Sequence, residues 1–313
     1  MVGIAMNLLK VSQAFSTEDQ ALDYWVRIRW PKGVRCIGCD HAKVYSIATT
    51  GKTGKRCRLF ECAACGLHFS ATTGTLFHDS HLPLRKWFIA MALMCEAKKG
   101  ISANQVARHL GCQYKTAWYL CHRIRKAMEE LNAAPLGGQG QIVEIDETWL
   151  GGKGKRRTTS KEKRDDKVRV LGMVERGGRV RLQQVANAKI DTLRPVINAN
   201  LSPDASKIVT DGASTYTFIL PKDKHVATVH ERELELTGEI HGTRTIEGAF
   251  SLFKRGVVGS YHKLSKDHLD SYLQEFCWRF NRRRMQPFMF DALLAELAAK
   301  KPMTYKTLTR EVF

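Results

Sequence analysis

Ile142-Val143-Glu144-Ile145-Asp146-Glu147 is a short apolar run closed by acids, and two other acids stand in settings that complete its meaning. Asp211 ends the β-branched run Lys207-Ile208-Val209-Thr210-Asp211, and Glu247 opens a segment of helical spacing, Thr243-Arg244-Thr245-Ile246-Glu247-Gly248-Ala249-Phe250. Outward from the first run, strand-like stretches cover 142–149, 168–175 and 179–186, followed by a helix near 192–201 and strands at 207–210 and 225–229. Three strands, a helix, an acid-ending strand and a later helix with a third acid fit a ribonuclease-H-like α/β fold. In that arrangement the first strand is central and Asp146 lies beside Asp211. Carboxylates at two strand ends and on one helix can converge on a hard cation such as Mg²⁺ or Mn²⁺, whose open coordination shell leaves room for phosphate. Lys254 falls seven residues after Glu247 and therefore on the same helical face, where it can hold a phosphate. Glu144, two positions before Asp146, points the same way along the strand and is the main rival for the first metal position; Glu147 is a weaker one.

The N-terminal part reads differently. Cys36-Ile37-Gly38-Cys39 and Cys62-Ala63-Ala64-Cys65 are two C-x-x-C knuckles with 22 residues between them, a spacing that offers four thiolates to one tetrahedral Zn²⁺. The stretch between them, with 44–47, a turn at 51–54 and 58–61, reads as the hairpin of a zinc ribbon. Cys57, Cys95, Cys112, Cys121 and Cys277 have no such partners and read as small core residues. Residues 17–30 form an amphipathic helix capped by Ser16 or Thr17, and Pro83 begins a broad apolar helix to 98. A short helix at 101–111, a glycine-bearing turn and a second helix at 113–128 carrying Lys115, Arg123, Arg125 and Lys126 make a helix-turn-helix pattern, the second helix being the one that would enter a major groove. The bland alternative is an αα-hairpin with a solvated basic face. For Trp118, core packing is the expected role. The segment 133–141, with Pro135 and three glycines, reads as a linker. The run 151–167 is densely basic and reads either as a DNA-ordered loop or as a solvated one.

Lysine and arginine number 50 against 31 acids, a net charge of +19, which favours a polyanionic partner and above all nucleic acid. No apolar run approaches the roughly 20 residues that span a bilayer, and the first nine residues lack the basic flank of a signal peptide, so a cytoplasmic, nucleoid-associated protein is expected.

These motifs together resemble bacterial insertion-sequence transposases of the Asp-Asp-Glu superfamily, in the group with an N-terminal zinc ribbon. The resemblance is carried by the two knuckles, by 144–152, 210–213, 245–256 and 259–262, and by the closing Tyr272-Leu273-Gln274-Glu275-Phe276-Cys277-Trp278-Arg279-Phe280-Asn281-Arg282-Arg283. Arg244 departs from the small polar residue of many relatives. The resemblance implies that Asp146, Asp211 and Glu247 hold two Mg²⁺ ions for DNA cleavage and strand transfer. It implies that Lys254, Arg255, His262, Arg282 and Arg283 meet phosphates, although His262 also reads as a structural histidine. Double-stranded DNA is the implied partner, as terminal inverted repeats and as target, bound by a homodimer or higher oligomer. A decayed transposase acting as a zinc-containing regulator and a structure-selective nuclease are the alternatives. The expected organisation is a helical segment (1–32), a zinc ribbon (33–75), a helix-turn-helix domain (82–132), the catalytic domain (140–286), and a C-terminal helix and tail (287–313), where 288–300 packs through Phe290, Leu293, Leu294 and Leu297.

Overall fold

A computed structural model describes residues 6–50, 56–130, 133–151, 167–228, 242–285 and 288–310. The hairpin turn at 51–54 and the interior of the basic run at 151–167 lie outside the described residues. The chain forms two compact units, one of Met1–Met128 with Met285–Phe313 and one of Glu129–Arg284.

The first unit opens with α1 (Leu8–Ala14) and α2 (Glu18–Arg29). Thr17 is the cap of α2: its hydroxyl accepts from the Gln20 amide and the Gln20 side chain accepts from the Thr17 amide, a reciprocal box that satisfies two otherwise orphaned donors. Strands β1 (Val44–Thr50), β2 (Arg56–Cys62) and β3 (His68–Ser70) then form an antiparallel sheet. Helices α3 (Leu84–Glu96), α4 (Ala103–Leu110) and α5 (Tyr114–Ala127) follow. Gly111 ends α4 in the left-handed conformation at φ +58°, which a glycine adopts without a Cβ penalty. An aromatic core joins these pieces: Phe77 meets Trp25 at 4.8 Å and Trp87 at 4.9 Å, both edge-on, and all three rings are buried.

The second unit is built on a five-stranded sheet of β4 (Ile142–Leu150), β5 (Val168–Glu175), β6 (Val180–Val185), β7 (Lys207–Asp211) and β8 (His225–Thr228), in the order β6-β5-β4-β7-β8. The first three pair antiparallel, and β7 and β8 run parallel to β4. Both faces are covered. Leu193 and Ile197 of α6 (Ile190–Asn200) pack with Val143, Ile145 and Ile208 on one side, together with Tyr216 of the short α7 (Ser214–Thr217). On the other, α8 (Arg244–Gly256) and α9 (Leu269–Asn281) pack Ile246, Phe250 and Phe276 against Val170, Val174 and Leu182. Burial on two sides explains why β5 is apolar along most of its length rather than alternating.

Segment 133–141, read above as a linker, is instead docked in this unit. Leu136 is buried and pairs with Leu201, and its backbone exchanges bonds with Asn200 and Ser202 at 2.7 and 2.8 Å. Its proline and three glycines signal irregular backbone, which is not the same as a free one.

Gly172 pairs with Asp146 across β4 and β5, and a Cβ there would stand 2.5 Å from Phe250 Cζ and 2.7 Å from Ile246 Cδ1. The missing side chain lets α8 lie directly on the sheet. Gly172→Ala is expected to lift α8 and to cost about 1–3 kcal/mol, the usual range for overpacking, readable as a lower calorimetric midpoint. An unchanged midpoint would show that α8 yields without cost.

After α9 the chain returns to the first unit as α10 (Met289–Ala299) and α11 (Tyr305–Arg310). Phe290 stacks near Phe15 and meets Phe88 edge-on at 5.5 Å, and Tyr24 donates to Asp291 at 2.5 Å. The tail expected at 301–313 is corrected over its described part: residues 305–310 are helical, Leu308 is buried, and the Met303 carbonyl accepts from the Tyr119 hydroxyl at 2.7 Å. No helix among the described residues is long and apolar enough to cross a membrane.

Candidate active site

The parallel register of β4 and β7 sets Ile145 against Thr210, so the next residues, Asp146 and Asp211, are neighbours at the edge of the sheet's central pair. The Asp211 carboxylate accepts from the Ala213 amide at 3.2 Å. Glu247 projects from the first turn of α8, where the Thr243 hydroxyl donates to it at 2.8 Å. Asp146, Glu247, Thr148, Ser251, Lys254 and Arg255 border an open cavity of about 470 Å³. The oxygens of the three acids do not all come within 4.8 Å of one another. Asp146 and Glu247 border an open site rather than a closed cage, and Asp211 stands beside Asp146 on the next strand without lining the cavity.

Burial pushes the Asp146 carboxyl up to about 7, and the nearby charges of Asp211, Glu147 and Glu247 push it the same way against the opposing bond from the Glu147 amide. The cluster is therefore short of positive charge. Lys254 bonds the Thr148 hydroxyl at 2.5 Å and makes no ion pair among the described residues, so its charge faces the cavity. Arg255 is exposed at the rim.

The two rivals for the first acidic position are otherwise engaged. Glu144 is almost fully buried and accepts from Arg176, from the Thr245 amide and hydroxyl and from the Ile246 amide, which removes it from the cavity. Glu147 is turned to the opposite face by the strand pleat, lies 3.8 Å from Arg169 and neighbours the buried Tyr216; burial raises its carboxyl.

In the first unit the sulfurs of Cys36, Cys39, Cys62 and Cys65 lie within 4.8 Å of one another, with separations of 3.6 Å for Cys36–Cys65, 3.6 Å for Cys39–Cys62 and 3.5 Å for Cys39–Cys65. Zinc–sulfur bonds of about 2.3 Å in a tetrahedron place sulfurs roughly 3.8 Å apart, so the four thiolates fit that ion. The two knuckles repeat one geometry: the residue four after the first cysteine, Asp40 or Gly66, is left-handed at φ +57° or +67° and donates its amide to the cysteine carbonyl at 3.0 Å. Asp40 bears a strain that Gly66 avoids and is held by Arg35, which grips its carboxylate and carbonyl. Cys95, Cys121 and Cys277 are buried and Cys112 is half-buried, as small core residues would be.

The basic residues expected on DNA divide. Lys115 is exposed near the start of α5, beside exposed Tyr114, and Lys126 is half-buried. Arg123 and Arg125 are corrected: both are buried. The Arg123 guanidinium donates to the Leu76 and His78 carbonyls and lies about 5 Å from the rings of Trp87 and Tyr119, closing the loop before α3. Trp118 lies against the His122 ring at 4.3 Å, in keeping with a packing role. Arg282 is half-buried and bonds Glu130, with its guanidinium over the Trp278 ring. Arg283 bonds the Gly178 and Phe280 carbonyls yet stays exposed. His262 is exposed at φ +62° just after the π-helical turn Val257–Tyr261.

Comparison with known proteins agrees with this layout. Residues 135–281 match the ISXO2-like transposase domain and residues 16–68 match the transposase zinc-ribbon domain. The chain belongs to the insertion-sequence transposases of the Asp-Asp-Glu superfamily that carry an N-terminal zinc ribbon. It is 27% identical over 282 residues, 84% of this chain and 91% of the other, to an uncharacterized protein in transposable element ISH50 of Halobacterium salinarum.

Proposed function

We propose that the protein cuts and joins DNA at the terminal inverted repeats of its own element, using divalent cations held by Asp146, Asp211 and Glu247. The observation that carries this reading is geometric: the parallel register of β4 and β7 sets Asp146 beside Asp211, and Glu247 and Lys254 of α8 border the same cavity as Asp146. The sheet order β6-β5-β4-β7-β8 supports a ribonuclease-H-like fold, with its first strand central and two acids on adjacent strands. A pair of Mg²⁺ ions bound there would activate an oxygen nucleophile and stabilise the leaving oxygen of an in-line displacement, so cleavage and strand transfer can share one site. Lys254, steadied by Thr148, holds the phosphate beside the acids, and Arg255 meets the flanking backbone. Zn²⁺ on the four cysteines fixes the ribbon, and α4, the turn at Gly111 and α5 form a helix-turn-helix that presents Tyr114 and Lys115 to DNA. A homodimer or higher assembly is the working form, since two ends must be paired.

The test is a strand-transfer assay on DNA carrying the flanks of this gene, run with Mg²⁺, with Mn²⁺ and with chelator. Metal-dependent joined products are expected. Hydrolysis without joining would point to a nuclease, and tight salt-sensitive binding without cutting to a regulator.

The elevated Asp146 carboxyl gives a pH signature. Its folded value, about 7, stands above the ordinary 3.8, so its contribution to stability is complete below about 4 and is lost as pH rises through 7. The metal-free protein should therefore lose thermal stability over that window. Mg²⁺ should bind more tightly as pH rises and flatten the slope. Calorimetry of wild type and Asp146→Asn across the range checks this; identical slopes would dismiss it.

A further inference from the structure

Helix α8 has an unusual start. Among the described residues, Thr243 at its N-cap makes no side-chain bond to the helix amides, because its hydroxyl is turned to Glu247. The first amides of a helix have no partner within it and must find one elsewhere. Here they find Glu144, which stands on β4 two residues before Asp146. One carboxylate oxygen accepts from the amides of Thr245 and Ile246 at 2.8 and 3.0 Å, and the other accepts from the Thr245 hydroxyl and from Arg176 Nε, both at 2.8 Å. Arg176 also donates to the Gly242 carbonyl at 2.9 Å, which fixes the chain just before the helix. A negative charge at a helix N-terminus is itself favourable.

We infer that Glu144 is a positioning residue that sets Glu247 opposite Asp146 by clamping the first turn of α8 to β4. This rests on the Asp-Asp-Glu reading given above. The covalent path is short on both sides: Glu144 and Asp146 share one strand face about 7 Å apart, and the gripped Ile246 directly precedes Glu247. Apolar packing of Ile246 and Phe250 on the sheet presses α8 down but fixes its position along the sheet poorly, because dispersion contacts are non-directional. Three directional bonds from the helix to one carboxylate fix it, and Arg176 holds that carboxylate in place. The same residue type that could have bound a cation instead aligns two that do. An amide cannot substitute, since glutamine keeps the shape but turns an NH₂ group toward two of the four donors.

The test uses the full chain and Mn²⁺ alone as probe, followed by calorimetry and by hydrogen exchange at residues 245–248. Glu144→Gln is expected to weaken Mn²⁺ binding about 10- to 100-fold, the range for groups that orient metal ligands, and to speed exchange in the first turn of α8. Thr245→Val, which removes one donor and keeps the helix amide, should weaken Mn²⁺ a few-fold and carries the test if Glu144→Gln does not fold. A folded Glu144→Gln protein that melts earlier but binds Mn²⁺ as wild type does would overturn the inference, since a merely structural role predicts that. Asp146→Asn and Glu247→Gln serve as controls: if both bind Mn²⁺ normally, the acidic-site reading itself fails. If both lose Mn²⁺ while Glu144→Gln and Thr245→Val keep it, only the role of Glu144 is refuted.

Discussion

Asp146→Asn and Glu247→Gln are each expected to lower strand transfer by about 10³-fold or more, with binding to the element's ends little changed. Both substitutions preserve size, and each removes one of the two carboxylates that border the cavity. Cation-assisted phosphoryl chemistry draws several kcal/mol of transition-state stabilisation from the metal site, and every ~1.4 kcal/mol lost is a factor of ten. The two variants should nevertheless differ before any DNA is added. Asp146 is partly buried among like charges, so its amide relieves repulsion and should raise the thermal midpoint at neutral pH. Glu247 is exposed and accepts from Thr243, so its amide should leave the midpoint nearly alone. Strand transfer measured with matched protein stability separates chemistry from folding. Retention of full activity by either variant would remove that residue from the site.

The second large effect concerns the ribbon. Cys36→Ser or Cys62→Ser is expected to abolish zinc retention and to unfold β1–β3 while the unit of Glu129–Arg284 keeps its structure. Among its described residues the ribbon buries little besides Phe60, Phe69 and the ligand cysteines Cys36 and Cys62, with Trp30 edge-on to both rings. Modules of that size rarely stand on apolar burial alone. Structural zinc supplies on the order of 10–16 kcal/mol of apparent binding free energy in small fingers, most of it realised as folding. Elemental analysis with hydrogen exchange, before and after chelation, reads both halves of the expectation. Persistence of strand protection in the metal-free ribbon would show that its rings suffice.

Much of this was open to reading from residue order, and the exceptions share a cause. The knuckles declare themselves because metal ligation fixes residue type and spacing locally. The strands at Asp146 and Asp211 and the helix at Glu247 declare themselves through local periodicity. Glu144 was visible as an acid on the Asp146 face, but its partners Arg176, Thr245 and Ile246 lie 32 to 102 positions away, and no local pattern reports them. Arg123 and Arg125 read as a basic face because charge is assumed to seek water; Leu76 and His78 supply the buried carbonyls that reverse this for Arg123. Gly172 carries no signal at all, since its importance lies in what Phe250 would strike. The helix at 305–310 is too short to announce itself and depends on Tyr119 for its place.

The route of the chain between the two units has a consequence for how the protein is made. Helix α10, which supplies Phe290 and Asp291 to the aromatic core around Phe15, Tyr24 and Phe88, is synthesised only after the whole of Glu129–Arg284. On the ribosome the segment that closes the N-terminal unit arrives last, so the unit begun first is completed second. A message interrupted anywhere within Glu129–Arg284 then yields a chain whose N-terminal unit lacks its closing helix. Fragments of this gene are accordingly expected to carry an incomplete N-terminal unit, however intact their own first 128 residues are.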